Sequence, residues 1–332
     1  MINVQQQQNH RLIFDFGNYD IKHSLNGSQP TSIRSLRFQL PWGTVAHKSS
    51  PSSPLIEYQG IRYHYGAKAN EYRSNEPTVL ANKQDRIIPA LFACLPPLMG
   101  RNEYGVFLTT FHPIPEMVTQ GYRASLVGKH EFKYNGEPME VRVLDVKVLP
   151  EGLGSYLHAK KLGMVPDKGY TVLIDIGGGT WISRLFNEDG DIIGSTVNEK
   201  GGAFALAQNI AFDGRLRAAL PSRPLPSMIM DGLANGTLHY GSLPVTWKDY
   251  YMEYLKPWFS SILAEVQAEY APYFGYITRF ILTGGSSLLV KDLVADTPMF
   301  LSMPDPRYAN LLGILENNED IVNAQTEQAI QV

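Results

Sequence analysis

Short apolar runs that end in an acidic residue and a glycine turn occur once in each half of the chain. In the first half, RLIFDF is followed by the turn residues Gly17 and Asn18 and by a second run, IKHSL. In the second half, YTVLIDI is followed by GGGT and then by WISRLF. Apolar runs of this length, bounded by turn residues, are typical of buried strands. The pattern predicts a strand, a glycine turn and a returning strand in each half.

The rest of the chain alternates runs of strand and helix character. LIEYQGIRYHY, YGVFLTTF, RFILT and the segment around the Asn-Gly turn of HEFKYNGEPMEVRVLDVKVL are predicted strands. PEMVTQGYRASLVG, FALAQNIAFDGRLRAAL and SSLLVKDLV are predicted helices. LPEGLGSYLHAKKLG is also a predicted helix, with Pro150 and Glu151 near its start. From 247 to 273, apolar side chains recur every three or four residues, which predicts a helix whose apolar stripe faces the core. This alternation is typical of α/β proteins.

The composition is that of an ordinary globular protein. The 332 residues are 44% hydrophobic and 18% charged, enough for two lobes with buried cores. A net charge of −3 argues against direct nucleic-acid binding by the whole molecule. The lone Cys94 has no internal disulfide partner, which favours a reducing compartment. No apolar segment is long enough to cross a bilayer and no leader opens the sequence, so we expect a cytoplasmic protein without membrane contact.

Three glycine-rich turns have the residue types that bind a nucleoside triphosphate. Such a ligand needs backbone N–H groups for its phosphate oxygens, glycines that leave the approach open, and carboxylates that hold Mg²⁺ through water. DFGNYDIK, DIGGGT and TGGSS each meet part of this requirement. Taken singly, the first also fits a hairpin, the second a plain turn and the third a serine-capped helix start. Their arrangement, with an acid and a glycine turn in each half, favours phosphate binding.

Other common functional patterns find little support in the sequence. GxSxG, HExxH, CxxC and GxxxxGK[ST] do not occur, and the histidines are scattered. A dinucleotide-binding interpretation of IGGGTW lacks the third glycine, because Ile182 stands there. Arg215, Arg217 and Arg223 form either a basic face or, as is more usual, solvated surface charge.

Five motifs, in order, resemble those of the actin, heat-shock chaperone and sugar kinase ATPase fold. They are DFGNYDIK, VKVLPEG, DIGGGT, TGGSSLLV and PDPRYANLLGIL, and the match as a whole covers nearly the entire chain, from about Arg11 to about Asn317. The spacing D-x-G-x-x-x-x-K, the VKVLPEG segment and the length are most similar to the ParM/StbA actin-like proteins of plasmid segregation. The resemblance implies an α/β fold with two duplicated ribonuclease-H-like lobes. Each lobe is expected to have a mixed five-stranded sheet flanked by helices, with a nucleotide cleft between the lobes.

The resemblance also implies how the chain divides into lobes. Residues 1–10 are predicted to be a flexible tail and residues 321–332 a polar tail. Residues 11–164 are predicted to form the first lobe, which residues 305–320 complete, and residues 165–304 the second lobe.

The family's functional positions carry over to this chain by motif. Asp15 and Asp175 match the acids that hold Mg²⁺ through water, and Glu151 matches the group that orients the attacking water, so Glu151 and Asp175 are the predicted catalytic residues. For Glu151 the structural alternative is an acid that complements a helix dipole. The predicted nucleotide-binding residues are Asp15, Gly17, Asn18 and Lys22 in the first phosphate loop, Gly177, Gly178, Gly179 and Thr180 in the second, Gly201 and Gly202 at the ribose, Asp231 at the adenine pocket, and Gly284, Gly285 and Ser286 in the nucleoside loop.

The chain departs from the family in its second phosphate loop. Many relatives carry an acid shortly after the threonine, where this chain has Trp181 and Ile182. The missing carboxylate implies slow hydrolysis of the nucleotide, whereas the glycines expected to bind its phosphates are retained.

The resemblance implies a slow ATPase that binds ATP or GTP with Mg²⁺ and polymerises with itself into filaments. The filaments would drive segregation of plasmid or other DNA through a DNA-binding adaptor protein, without direct nucleic-acid contact. Two other functions stay open for the same fold: a small-molecule phosphotransferase, and a nucleotide-sensing scaffold with little hydrolysis.

Overall fold

The computed structural model describes residues 9–72 and 86–317. The chain divides into two compact units, one up to Glu151 and one from Gly152 onwards. Each unit contains one β-sheet together with helices, so the predicted α/β class is confirmed. Within the described ranges, no helix combines the length and the apolar character that a membrane span requires.

Nine strands of the described residues form the sheet of the first unit. β1 pairs antiparallel with β2 and parallel with β7, which pairs parallel with β9. The order across the sheet is β3-β2-β1-β7-β9-β8-β5-β6-β4. The strands are β1 (Asn9–Phe16), β2 (Asp20–Leu25), β3 (Thr31–Arg34), β4 (Arg37–Leu40), β5 (Leu55–Tyr58), β6 (Ile61–Tyr65), β7 (Glu103–His112), β8 (Gly128–Tyr134) and β9 (Glu137–Pro150).

Four of these strands extend the sheet beyond the predicted five. The part β3-β2-β1-β7-β9 corresponds to the expected five-stranded sheet, and β8, β5, β6 and β4 continue it. The extension begins at the tight turn between β8 and β9, where Asn135 and Gly136 have φ of 54° and 91°. The hairpin was predictable from its Asn-Gly sequence. The addition of β5 to β8 was not, because it joins segments far apart in the chain.

Among the described residues of this unit, two α-helices pack against the sheet, α1 (Ile87–Ala93) and α2 (Pro115–Leu126). Phe92 of α1 is fully buried, and its ring stacks on that of Phe132 in β8 with the centroids 4.2 Å apart. In α2, Val118, Tyr122 and Leu126 are buried at a spacing of four residues, which is one face of a helix.

The second unit repeats the pairing pattern of the first. In its described part, β10 pairs antiparallel with β11 and parallel with β13, β11 pairs antiparallel with β12, and β13 pairs parallel with β14. The order β12-β11-β10-β13-β14 therefore matches β3-β2-β1-β7-β9. This correspondence confirms the duplication inferred from the two similar halves of the sequence. The strands are β10 (Tyr170–Ile176), β11 (Trp181–Phe186), β12 (Ile192–Asn198), β13 (Ile277–Thr283) and β14 (Phe300–Ser302).

The helices of the second unit include the long one predicted from its apolar stripe. Leu255, Phe259, Ile262 and Val266 are all buried on one side of α7, as expected. The helices are α3 (Leu153–Lys161), α4 (Ala203–Ala211), α5 (Gly214–Ala219), α6 (Pro226–Ala234), α7 (Tyr251–Glu269), α8 (Lys291–Val294) and α9 (Ala309–Glu316).

Helices α3 and α9 pack so closely that their backbones touch. A Cβ atom on Gly154 would overlap the carbonyl oxygen of Asn310, and one on Gly313 would overlap the carbonyl oxygen of Gly154. The side chain of Asn310 accepts a hydrogen bond from the Ser155 N–H at 3.3 Å. Only glycine allows this crossing, because any side chain at either position would separate the helices.

The packing of α3 against α9 places these helices in a different unit from the lobe that was predicted to contain them. Residues 153–164 and 305–320 were expected in the first lobe, but α3 and α9 belong to the second unit. Besides the glycine crossing, Nδ1 of His158 lies 2.7 Å from Oε2 of Glu316, so α3 and α9 are also joined by a polar contact. The lobe bounds drawn from the resemblance stay a prediction.

The glycine crossing predicts opposite effects for two glycine-to-alanine changes in helices. Gly313→Ala should lower the free energy of unfolding by about 1–3 kcal/mol, because the new methyl group displaces α3. Gly121→Ala in α2 is the matched control, since nothing lies within 4 Å of its Cβ position. It should raise stability by about 0.5–1 kcal/mol through helix propensity. Urea unfolding followed by circular dichroism measures both, and equal effects would contradict the close packing.

Candidate functional site

The first predicted phosphate loop is the turn between β1 and β2 in the first unit. Asp15 is buried opposite Lys22 in the antiparallel register, and Nζ of Lys22 lies 2.9 Å from its Oδ2. A Cβ atom on Gly17 would lie 2.5 Å from the carbonyl oxygen of Asp20, so the turn requires glycine. Oδ1 of Asn18 is buried and accepts no hydrogen bond from the described part of the chain. The turn therefore holds an acid, a cation and an unsatisfied acceptor close together.

The charged groups at this turn include the Asp15–Lys22 pair and Asp20, whose Oδ1 lies 3.9 Å from Nε of Arg34. Lys22, predicted to lie in the first phosphate loop, contacts Asp15 through its ammonium group, and its contact with a phosphate stays a prediction. The neighbouring His23 contributes no charge at neutral pH, because burial lowers its pKa to about 4. Lys22 thus neutralises the carboxylate that the sequence assigned to Mg²⁺.

The second predicted phosphate loop, GGGT between β10 and β11, is fixed from one side by the start of α4. The carbonyl oxygens of its three glycines accept hydrogen bonds from the N–H groups of Gly202, Ala203 and Phe204, at 3.1, 3.1 and 2.7 Å. The N–H of Gly177 donates to the carbonyl oxygen of Thr180 at 2.9 Å. Every carbonyl of the glycine triplet is therefore occupied.

The amide groups of the same turn are left available. The N–H groups of Gly178, Gly179 and Thr180 donate no hydrogen bond within the described part of the chain. Successive backbone N–H groups in a turn make an anion-binding concavity. Since the carbonyl oxygens bind α4, the turn presents donors and no competing acceptors to a ligand.

Gly201 and Gly202, predicted to contact a ribose, have packing roles in the structure. A Cβ atom on Gly202 would lie 2.6 Å from the carbonyl carbon of Gly179. One on Gly201 would lie 2.5 Å from Nε1 of Trp181, and the Gly201 carbonyl oxygen accepts a hydrogen bond from Nε1 of Trp258 at 2.9 Å. The two glycines let α4 approach the phosphate loop, and their contact with a ribose stays a prediction.

Trp181 and Ile182, which stand where many relatives have an acid, are core residues here. Their side chains are 1% and 2% exposed. The next residue, Ser183, is also buried, and its hydroxyl lies 2.9 Å from that of Tyr270, the residue that follows α7. Burial raises the pKa of Tyr270 to about 12, so this contact is between neutral groups. A carboxylate at either position would be buried, which costs free energy unless it is paired.

The third predicted nucleotide-binding turn, TGGSS, lies against Asp175, the acid that precedes the GGGT turn. Thr283, at the end of β13, is opposite Asp175 in the parallel register. Gly284 has φ of 82°, and a Cβ atom there would overlap Oδ1 of Asp175 and the backbone of Ile176. The predicted residues Asp175 and Gly284 are therefore in contact, and glycine is required for that contact.

The helix predicted after this turn is much shorter than expected. Gly285–Leu289 forms a 3-10 helix, and α8 has only four residues. Ser287 is buried, and its hydroxyl donates to the carbonyl oxygen of Gly284 at 2.8 Å. One turn of α8 supplies little of the dipole expected at a helix start. Gly285 and Ser286 stay predicted nucleoside contacts.

Glu151 follows β9 and precedes α3. Its N–H donates to the carbonyl oxygen of His112 at 3.0 Å, and Gly152, with φ of 92°, separates it from the first residue of α3. Burial and then the nearby Glu151 carboxylate raise the pKa of Tyr122. The expectation that Glu151 lies within the helix is wrong, since a left-handed residue intervenes.

Asp231 lies within α6, which packs against α4. Its assignment to an adenine pocket stays a prediction.

Arg184 on β11 is a buried cation to which the sequence motifs assigned no role. It is 4% exposed and donates from Nη1 to Oγ of Ser195 at 3.0 Å. Its only signal was an arginine within the apolar run WISRLF.

The carboxylates beside the glycine turns suit a cation that retains part of its hydration shell. In the described part of the chain no group of three or more His, Cys, Asp or Glu side chains is arranged to bind a metal directly. Asp15 and Asp175 each offer a single carboxylate beside a glycine turn. Mg²⁺ usually retains several waters and uses one or two carboxylates, so these residues fit it.

Comparison with solved structures identifies the fold. The crystal structure of the archaeal actin homologue Ta0583 has a TM-score of 0.73 and 16% identity, covering 92% of this chain and 98% of that one. The apo pSK41 ParM protein has a TM-score of 0.62 and 18% identity, covering 96% and 99%. A subunit of a 15-stranded ParM filament from Clostridium botulinum has a TM-score of 0.73 and 14% identity, covering 93% and 98%. This chain therefore has the actin-like fold.

The sequence comparisons add nothing to this. No family model matches the chain, and no curated protein matches it. Ta0583 has also been solved in complex with ADP, with a TM-score of 0.72 and 15% identity to this chain.

The packing of Gly202 against the glycine triplet predicts that the turn tolerates no side chain there. Gly202→Ala should lower the free energy of unfolding by about 1–3 kcal/mol, because its methyl group would displace Gly179. Gly214→Ala, at the first residue of α5, is the control, since its Cβ position is open. Urea unfolding of the two variants should differ accordingly. If Gly202→Ala is as stable as the control, the turn is not held by α4 as described.

Proposed function

We propose that this chain is an actin-like protein that binds a nucleoside triphosphate with Mg²⁺, polymerises in that state and hydrolyses the nucleotide slowly. The observation that carries the proposal is the GGGT turn. Its carbonyl oxygens are taken by α4, and three successive amide groups remain as donors. A phosphate group is the ligand that such a turn favours.

The acids beside the glycine turns support the magnesium part of the proposal. Asp175 lies against Gly284, and Asp15 forms an ion pair with Lys22, so both carboxylates adjoin the glycine turns proposed to bind phosphate. When bound, Mg²⁺ would supply positive charge to the phosphate oxygens. The unsatisfied Oδ1 of Asn18 would accept a hydrogen bond from a water or a hydroxyl group at the first turn.

Glu151 is proposed to orient the attacking water. Its backbone is fixed by the hydrogen bond to His112 and by the left-handed Gly152 after it. A carboxylate in this role holds a water in line for attack, and positioning of this kind provides much of the catalysis of phosphoryl transfer. Slow hydrolysis is expected because Trp181 and Ile182 occupy the places of a further acid.

Filament formation and DNA segregation are proposed from the fold. Among proteins of similar structure are a ParM filament and the Alp12 filament. We propose that this chain assembles likewise, is cytoplasmic, and moves plasmid or other DNA through a DNA-binding adaptor. The burial of Trp181 and Ile182 also favours a second candidate, a nucleotide-sensing scaffold that binds ATP and barely hydrolyses it.

Sedimentation tests the assembly step. The purified protein should pellet at micromolar concentration with ATP or GTP and Mg²⁺, and should stay in the supernatant with nucleoside diphosphate or with EDTA. Phosphate release measured in the same samples separates a slow ATPase from a scaffold. A protein that never pellets and phosphorylates a small-molecule acceptor would show that the filament proposal is wrong.

Substitution of Glu151 tests the catalytic assignment. Glu151→Ala should lower the rate of phosphate release by about tenfold or more, since the methyl group cannot hold a water in line for attack. Nucleotide binding, measured with a fluorescent ATP analogue, should be unchanged, and the polymer should persist longer. Glu137→Ala, at the exposed start of β9, is the matched control. Normal hydrolysis by Glu151→Ala would contradict the role.

A further inference from the structure

Arg184 is a cation in the interior of the second sheet. The residue is 4% exposed, and its register partners, Leu173 on β10 and Ser195 on β12, carry no charge. A charge in a protein interior is costly unless an opposite charge and hydrogen bonds compensate it. The burial of Arg184 therefore indicates that an anion belongs close to its guanidinium group.

Arg184 lies on the face of the sheet that carries Asp175. In the antiparallel register of β10 and β11, Arg184 is opposite Leu173, and Ile182 is opposite Asp175. Directly opposite residues share a face of the sheet, and so do residues two apart on one strand. Asp175 and Arg184 are therefore diagonal neighbours. The buried cation belongs to the same face as the acid proposed to hold Mg²⁺.

The start of α3 covers the stem of the Arg184 side chain. A Cβ atom on Gly152, the residue before α3, would lie 3.8 Å from Nε of Arg184 and 3.9 Å from its Cδ. The N-terminal end of a helix carries partial positive charge, so a cation there is unfavourable unless an anion lies nearby. The position of Arg184, like its burial, therefore requires a counter-charge.

Two carboxylates proposed for the functional site, those of Asp175 and Glu151, adjoin this position. Nη1 of Arg184 donates to Oγ of Ser195 at 3.0 Å, so that end of the guanidinium group is turned towards β12. Since β11 lies between β10 and β12, the same end is turned away from Asp175 on β10. Glu151 is bonded to Gly152, so the chain itself keeps Glu151 next to the residue that Arg184 lies against. Glu151 is therefore the better placed anion.

A guanidinium group can fix a carboxylate in one direction. It presents several N–H donors in a planar fork that matches the oxygens of a carboxylate. A bidentate pair of this kind sets the geometry of the acid as well as its charge. An acid that orients a water for attack needs this control, because a misplacement of about 1 Å can cost about a hundredfold in rate.

We propose that Arg184 is a positioning residue for Glu151. Its guanidinium group binds the Glu151 carboxylate and fixes the direction in which that carboxylate holds the attacking water. The inference rests on the proposed role of Glu151 and adds to it a cation that the sequence motifs do not include. The strand after the GGGT turn thus has no acid at Ile182 and supplies a cation two residues later.

Steady-state phosphate release by the full chain with ATP and Mg²⁺ tests the proposal. Arg184→Met, which removes the charge, should lower kcat about tenfold, while KM and the affinity for a fluorescent ATP analogue stay within about twofold. Arg184→Lys, which keeps the charge without the fork, should give an intermediate kcat. Arg279→Met is the matched control on β13, where Nη1 of Arg279 donates to the carbonyl oxygen of Pro298 at 3.5 Å, and it should leave kcat unchanged. A wild-type kcat in Arg184→Met would overturn the proposal.

A double-variant cycle separates positioning from a general effect on the fold. In a Glu151→Ala chain, Arg184→Met should lower kcat no further, because no carboxylate is left to position. A second tenfold loss in that chain would show that Arg184 affects hydrolysis without Glu151, and the inference would be wrong.

Urea unfolding tests the same pair without hydrolysis. The midpoint shift of the Glu151→Ala, Arg184→Met double variant should be smaller than the sum of the two single shifts, and additive shifts would overturn the proposal. If Arg184→Met does not fold, Arg184→Lys replaces it in both cycles under the same criteria. A wild type that releases no phosphate contradicts the proposed function, and the unfolding cycle then decides the inference.

Discussion

The hydrogen bonds between the glycine triplet and the first residues of α4 determine the properties of the second unit. They join the end of β10, the start of β11 and the helix that follows β12 through backbone atoms alone. Because all three carbonyl oxygens are engaged, the turn cannot rotate its peptides to present acceptors. The amide groups of Gly178, Gly179 and Thr180 donate no hydrogen bond within the described part of the chain. The hydrogen bonds that fix the turn therefore also leave its amide groups available to the phosphate that we propose as its ligand.

At several places in the second unit, two elements approach each other so closely that a glycine is required at the contact. Gly202 allows α4 to reach the glycine triplet, Gly201 makes room for the indole of Trp181, and Gly284 allows β13 to end against Asp175. Gly154 and Gly313 do the same for α3 and α9. In each case a methyl group would push the two elements apart, and at Gly201, Gly202 and Gly284 those elements adjoin predicted functional residues. The packing of the second unit thus depends on its glycines, which have no side chain, as much as on the side chains of its other residues.

Much of the fold could be predicted because it is local. The Asn-Gly hairpin of β8 and β9, the stripe of α7 and the strand-turn-strand unit of each half all follow from periodicity and turn chemistry over a few residues. Pairings between distant segments could not be predicted in this way. The addition of β5 to β8, the crossing of α3 and α9 and the short helix after Gly284 depend on which surfaces meet. The packing role of Gly201 and the buried Arg184 were likewise invisible in the local pattern.

The sequence by itself determined the α/β class, the duplication, the two acid-glycine turns and the absence of an acid after Thr180, since these depend only on residue types and their spacing. Only the tertiary structure decided that the amides of GGGT are unengaged and its carbonyl oxygens occupied, that Lys22 contacts Asp15, and that Trp181 points into the core. Those properties depend on the direction of backbone and side-chain groups. That direction is set by neighbours far away in the chain, and no local pattern specifies them.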